Sequence, residues 1–154
     1  MRIKRILAPT DLSKASLQGV SYAARLASSQ KAELILLFAE DVSSYVPGEI
    51  YGAGVVASLL DETRRQAEIG IRKLRDRYRR AGLRCRAVLV TGQPSRTITE
   101  TARKLRADWI VLATHGRSGF SHVLLGSVAE RVVRSASCPV LTVRATEKRR
   151  RGRG

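Results

Sequence analysis

Leu34-Ile35-Leu36-Leu37-Phe38-Ala39 is the stretch that most restricts what this chain can become. Apolar residues follow one another there with no polar alternation. A strand wetted on one face alternates. An unbroken run belongs to a strand covered on both faces, as inside a parallel sheet. Parallel neighbours must be joined by a crossover of a dozen or more residues, usually a helix. The rest of the chain supplies strands and crossovers in alternation.

A first strand is predicted over Arg2–Ala8, on Ile3, Ile6, Leu7 and Ala8, and Pro9-Thr10-Asp11 is read as ending it. Ser13 is a good N-cap for a helix whose Leu17, Val20, Ala24 and Ala27 share one face. Asp11 reads as a second group able to help cap that helix. Glu33–Ala39 is the second strand. Glu40 to Val56, with Pro47, Gly48, Gly52 and Gly54, is predicted as a long loop, a kind that often serves function. A second helix is predicted over about Ala57–Ala81, with Leu60, Ala67, Ile71, Leu74 and Tyr78 on one stripe. Its arginines form a solvated face, and Gly82 ends it. Leu83–Leu89 starts with alternating charge, which suits an edge strand. Thr91–Ser95 is read as a turn. Ile98, Ala102 and Leu105 mark a third helix, Trp109–Thr114 a fourth strand and Val128–Val133 a fourth helix. Ser137-Cys138-Pro139 breaks that helix, and Val140–Val143 is the fifth strand.

This β-α-β-α-β-α-β-α-β order implies an α/β fold, a doubly wound five-stranded parallel sheet with helices on both faces. Right-handed crossovers leave few topologies. Residues 1–145 are read as one domain, and the basic tail 146–154, ending EKRRRGRG, cannot join a core. No apolar run approaches the ~20 residues of a membrane span, and the N-terminal apolar stretch is too short for a signal peptide. A cytoplasmic location and no membrane partner are expected. Cys85 and Cys138 belong to no CxxC pair and read as buried apolar side chains. The net charge of +16 implies attraction to polyanions without choosing among nucleotide, nucleic acid and acidic protein.

Chemistry concentrates in Leu112–Ser127, LATHGRSGFSHVLLGS. A buried strand opens into a loop with Gly116, Gly119 and Gly126, and a helix starts directly after. Glycines let backbone amides approach an anion, and a helix N-terminus adds unpaired N–H donors and a positive partial charge. Placing the first strand beside the fourth would bring Pro9-Thr10-Asp11 next to this loop. The stretch lacks GxxxxGK[ST], so it is no P-loop, and no Ser-His-Asp or paired-carboxylate constellation stands out. His115 and His122 have no partners suited to a protein-only metal site.

PTD after the first strand, GQP after the third, THGRSG after the fourth, GSVAERV opening the last helix and CPVLTV at the end together resemble the universal stress protein family, over roughly Met1 to Arg144. The resemblance implies the strand order 3-2-1-4-5. It also implies a bound adenine nucleotide, ATP, ADP or AMP, with Mg²⁺ arriving on a triphosphate. The ATP-binding branch carries G-x-x-G, nine residues, then G-[ST]. Gly116, the nine residues Arg117 to Leu125, and Gly126-Ser127 match it, while Ala113 stands at the first glycine. A positive φ there would cost alanine ~1–2 kcal/mol. The position ends a strand, so its backbone is read as extended.

Position by position, the resemblance implies that Asp11 accepts hydrogen bonds from the sugar or base edge, and that Pro9 and Thr10 shape that wall. Ala39 would give backbone contacts to adenine. Leu112 and Ala113 would lie along base and sugar, and His115 and Gly116 on the phosphate side. Gly126, Ser127 and Val128 would present N–H groups to the phosphates, with the Ser127 hydroxyl. A homodimer would form through Val140–Val143. The function so implied is stress-response sensing or regulation by binding, with slow ATP hydrolysis at most. Two other readings stand beside it. One is a dimeric protein that has lost nucleotide binding, marked by Ala113, and docks on an acidic partner. The other is a nucleic-acid-associated protein using Lys148, Arg149, Arg150, Arg151 and Arg153.

Overall fold

In the computed structural model, which describes residues 2–41, 53–114 and 126–145, the apolar run forms β2 (Glu33–Glu40). It is flanked on both sides. β1 (Arg5–Pro9) lies parallel to it with Leu7 opposite Ile35, and β3 (Cys85–Thr91) with Leu36 opposite Ala87. β1 also pairs with β4 (Trp109–Ala113), Leu7 opposite Ile110. β4 pairs with β5 (Val140–Val143), Val111 opposite Leu141. Every pair is parallel and the order is β3-β2-β1-β4-β5. The edge position expected for β3 is therefore observed.

The crossovers are α1 (Lys14–Gln30), α2 (Ala53–Arg80), α3 (Pro94–Lys104) and α4 (Ser127–Ser135). The β2 run divides its side chains between two cores. Leu34, Leu36 and Phe38 join Ile6, Ala8 and Val111 under Val20, Ala24 and Ala27 of α1 and Ala67 and Ile71 of α2. Ile35 and Leu37 join Leu7, Ile110 and Leu112 under Ile98 and Ala102 of α3 and Ala129 and Val132 of α4. Leu34 through Leu37 are wholly buried, each contributing about 1.5–3 kcal/mol relative to exposure. An alternating strand could have filled only one of these cores.

Element ends depart from the sequence reading for local reasons. β1 runs Arg5–Pro9 and not Arg2–Ala8, because the N–H groups of Lys4 and Arg5 are taken at 2.7 and 2.8 Å by the Asp108 carboxylate. Pro9 is itself the last residue of the strand, in register opposite Leu37, and the strand ends there. α2 begins at Ala53, inside the predicted loop, since a glycine such as Gly54 costs a helix only about 1 kcal/mol. β3 continues to Thr91, paired with Glu40. The predicted turn Thr91–Ser95 is narrower than read, Gly92 and Gln93 alone: Thr91 still belongs to β3, Pro94 opens α3, and the Gln93 side chain accepts from the Arg96 N–H at 2.9 Å. Ser13 caps α1 as read, accepting from the Ser16 N–H at 3.2 Å. Gly82, at φ 84, ends α2 with its N–H on the Arg79 carbonyl. Most of the predicted 40–56 loop, His115, Gly116 and the basic tail lie outside the described residues.

α1 lies unusually close to β4. A Cβ built on Gly19 would stand 2.7 Å from the Ala113 amide nitrogen and 3.2 Å from the Leu112 carbonyl carbon. Both obstacles are backbone, so a side chain there must push helix from strand. Gly19→Ala should therefore lower stability by about 1–3 kcal/mol, the range for overpacking, although alanine favours a helix by about 1 kcal/mol. Urea denaturation followed by circular dichroism measures this, and a raised midpoint would show that α1 can withdraw freely.

Candidate functional site

In the order β3-β2-β1-β4-β5 the winding reverses between β1 and β4. The crossover after β1 leads to β2 on one side, and that after β4 to β5 on the other. In sheets of this order the crevice outside the C-terminal ends of two such strands is the usual ligand position. The β1–β4 register, Leu7 with Ile110, carried forward sets Thr10 level with Ala113. The first strand thus lies beside the fourth as expected, with Thr10 next to the end of β4; the glycine loop itself lies outside the described residues.

The β1–α1 turn is held by its own polar groups. Thr10 Oγ1 accepts from the Leu12 N–H at 2.9 Å and lies 2.9 Å from Ser16 Oγ. Asp11 Oδ1 accepts from the Ser13 N–H at 3.0 Å. Asp11 therefore braces the turn before the helix, while Ser13 does the capping. Leu12 sits at φ 63, a left-handed conformation that costs a branched residue about 1–2 kcal/mol. Such strain persists where surrounding bonds over-determine it. Here the bonds are those of Thr10 and Asp11, together with a seat on α2. A Cβ built on Gly70 would fall 2.5 Å from Leu12 Cδ1, so α2 meets the turn across a glycine.

On the other wall, the Gly126 N–H is donated to the Thr114 carbonyl at 2.7 Å. That corrects one expectation: the Gly126 amide closes the loop on β4 and is not turned to a phosphate. Gly126 is the N-cap of α4 at φ −63 and ψ 149, a backbone any residue can adopt, and among the described residues no side chain caps the helix. What glycine supplies here is the lack of a side chain over the first turn. Ser127, exposed, and Val128, half-buried, follow as the first helical residues. Ala113 belongs to β4 and is absent from the positive-φ residues, so its backbone is extended as read. Leu112 is buried and Ala39, one residue from the end of β2, half-buried.

Glu40 is a group that sequence reading missed. It is only 5% exposed at the end of β2. Thr91 Oγ1 donates to its Oε2 at 2.9 Å, and Arg64 Nη1 of α2 lies 3.8 Å from the same oxygen. A polar residue closing an apolar strand was the available signal, but nothing local named its partners. Neither thiol is poised for attack. Burial pushes Cys85 up to about 11 and raises Cys138 as well. A shallow cavity of about 300 Å³ between α2 and β3, lined by Ile71, Arg72 and Leu89 among others, lies on the flank of the sheet and away from the crevice.

Thr10→Val removes both the acceptor for the strained Leu12 amide and the partner of the buried Ser16 hydroxyl. Stability should fall by about 1–3 kcal/mol in urea denaturation. Asp11→Asn keeps an oxygen for the Ser13 N–H and should stay within about 0.5 kcal/mol of the parent. Equal losses for the two would show that Thr10 does not hold the turn.

The universal stress protein family profile matches residues 2–144. Universal stress protein MJ0531 of Methanocaldococcus jannaschii is 36% identical over 146 residues, 94% of this chain and 84% of that protein. Among solved structures, universal stress protein UspA from Lactobacillus plantarum superposes with a TM-score of 0.82 at 28% identity, covering 94% of this chain and 99% of that one. A universal stress protein crystallised in complex with cAMP superposes with a TM-score of 0.71 at 28% identity, over 95% and 100% of the two chains. Fold, strand order and near full-length similarity agree: the chain belongs to the universal stress protein family.

Proposed function

We propose that this protein binds an adenine nucleotide, ATP, ADP or AMP, in the crevice between the ends of β1 and β4, and acts in the stress response by binding, not by turnover. The observation that carries the reading is the α4 N-terminus. It opens at the switch point with a glycine N-cap and, among the described residues, no capping side chain. First-turn amides and the helix dipole at such an end favour a phosphate. The similar protein crystallised with cAMP supports the adenine nucleotide class.

In this reading the amides of Ser127 and Val128, with the Ser127 hydroxyl, meet the phosphates, and His115 and Gly116 lie on the same side. Mg²⁺ comes with a triphosphate. Asp11 accepts from a ribose hydroxyl, with Pro9 and Thr10 as the wall beside it. Ala39, Leu112 and Ala113 flank base and sugar. The protein works in the cytoplasm, where its free thiols stay reduced.

Calorimetric titration with ATP, ADP and AMP in the presence of Mg²⁺ should give saturable binding. Asp11→Asn should weaken it about tenfold, in the range of a charge-assisted hydrogen bond. The parent should lose affinity for the 2′- or 3′-deoxynucleotide while the variant does not, a double-mutant cycle that isolates the sugar contact. No heat with any of the three at millimolar concentration would reject the reading.

We propose further that two copies pair through β5. All four residues of this edge strand are half-buried, and Val140, Leu141 and Val143 are apolar. Unpaired edges invite a second strand. Light scattering at micromolar concentration should return twice the chain mass of 16.9 kDa, and a monomer mass would reject the pairing.

A further inference from the structure

In a parallel sheet all strand N-termini and all crossover-helix C-termini share one pole. Here that pole is made of residues 2–5, 28–33, 77–86, 103–109 and 134–140. These segments hold thirteen lysines and arginines against two carboxylates. Both carboxylates are engaged in structure. Glu33 pairs with Arg86 at 3.1 Å and Arg5 at 3.9 Å, and Asp108 accepts the Lys4 and Arg5 amides. At the opposite pole, residues 9–16, 39–41, 53–65, 90–100, 113–114, 126–131 and 143–145 hold six cations against seven carboxylates. Among the described residues, then, the net charge sits at the end away from the crevice.

Helix ends do not account for it. Each helix C-terminus carries about half a negative charge, so four of them balance about two cations. The excess is exposed: Arg79 and Arg80 end α2, Arg103 and Lys104 end α3, and Lys31 follows α1. Five strands at about 4.8 Å spacing make this face about 20 Å wide, enough to follow about twelve phosphates of a duplex, which carries one charge per about 1.7 Å.

We propose that this basic pole binds the phosphate backbone of a nucleic acid, without reading its sequence. Ten of the thirteen cations are arginines, whose planar fork suits phosphate oxygens. Among the described residues, the exposed large apolar side chains Tyr22, Leu59 and Ile69 fall outside the five segments, and Val133 alone borders one of them. A protein partner of matching size needs an apolar contact centre, and a membrane surface favours inserted apolar groups. A repeating line of phosphates needs neither. The basic tail is a separate candidate, because the chain reaches Ala145 at the other pole.

Fluorescence anisotropy with short DNA and RNA duplexes of unrelated sequences tests this on the full chain. Affinity should be nearly independent of sequence. With five phosphates neutralised, log K against log salt should have a slope of about −4.5, a loss of about 500-fold between about 50 and 200 mM. A pole variant combining Arg79→Gln, Arg80→Gln, Arg103→Gln and Lys104→Gln should flatten the slope by about 3.6. Replacement of the same residues by the other basic side chain (R79K, R80K, R103K, K104R) should restore it. A charge-matched control, Lys14→Gln, Arg65→Gln, Arg131→Gln and Arg144→Gln, should leave the slope within about one unit of the parent. The proposal is overturned by equal loss in pole and control variants. It is also overturned by loss confined to glutamine replacement of Lys148, Arg149, Arg150, Arg151 and Arg153. Binding to anionic phospholipid vesicles with no binding to either duplex would do the same.

Discussion

All five strands point one way, and that shared direction gives the molecule two unlike ends. Strand C-termini and helix N-termini gather at one pole, where backbone amides lack intrahelical partners. Strand N-termini and helix C-termini gather at the other, where carbonyls do. The first end therefore attracts anions through the backbone itself, with a side-chain charge that nearly cancels among the described residues. The second end attracts cations, and it is loaded with them well past what the carbonyls compensate. Both ends follow from the double burial of β2: only a strand hidden on both faces forces parallel neighbours and helical crossovers, and so the polarity.

The crevice is shaped by places where two backbones or turns nearly touch. Gly19 lets α1 settle on the end of β4, and Gly70 lets α2 accept the side chain of Leu12. Through the second contact the long helix α2 bears directly on the turn that holds Asp11. Arg64 of the same helix approaches Glu40 at the end of β2. The walls at β1 and β2 are thus both braced from α2, while the β4 wall is braced from α1. Leu12 keeps its left-handed backbone because the Thr10 hydroxyl satisfies its amide and Gly70 leaves room for its side chain.

Elements with strong periodicity could be read directly. The β2 run, the α1 stripe of Val20, Ala24 and Ala27, the Ser13 cap and the Gly82 stop are local signals with local causes, and each is where it was expected. Ends set by distant partners could not be read. Arg5 starts β1 because Asp108, far along the chain, holds the amides before it. The same holds for the site. The motif residues were visible, but the Gly126 amide was given to phosphate when Thr114 already uses it. Glu40, Thr91 and Arg64 meet from three elements, and the sequence marks Glu40 at its strand end without naming its partners. Gly19 and Gly70 did leave one. A glycine inside a helical stripe costs about 1 kcal/mol and asks for a packing reason.

That distinction between backbone need and side-chain room also decides how Ala113 should be understood. A glycine can be required because φ is positive or because space is absent. The first requirement does not hold at 113, since the residue is part of β4 and Leu12, Lys31 and Arg106 are the only non-glycine residues at positive φ among those described. Alanine there carries no penalty of handedness. What it adds is one methyl group at the strand end. A close approach at this point is made from α1, where Gly19 already clears the space against the Ala113 backbone. Alanine therefore leaves the strand, its pairing with β5 and the Thr114–Gly126 closure intact. Any effect of alanine on a ligand must act through the volume of that methyl and not through a distorted strand.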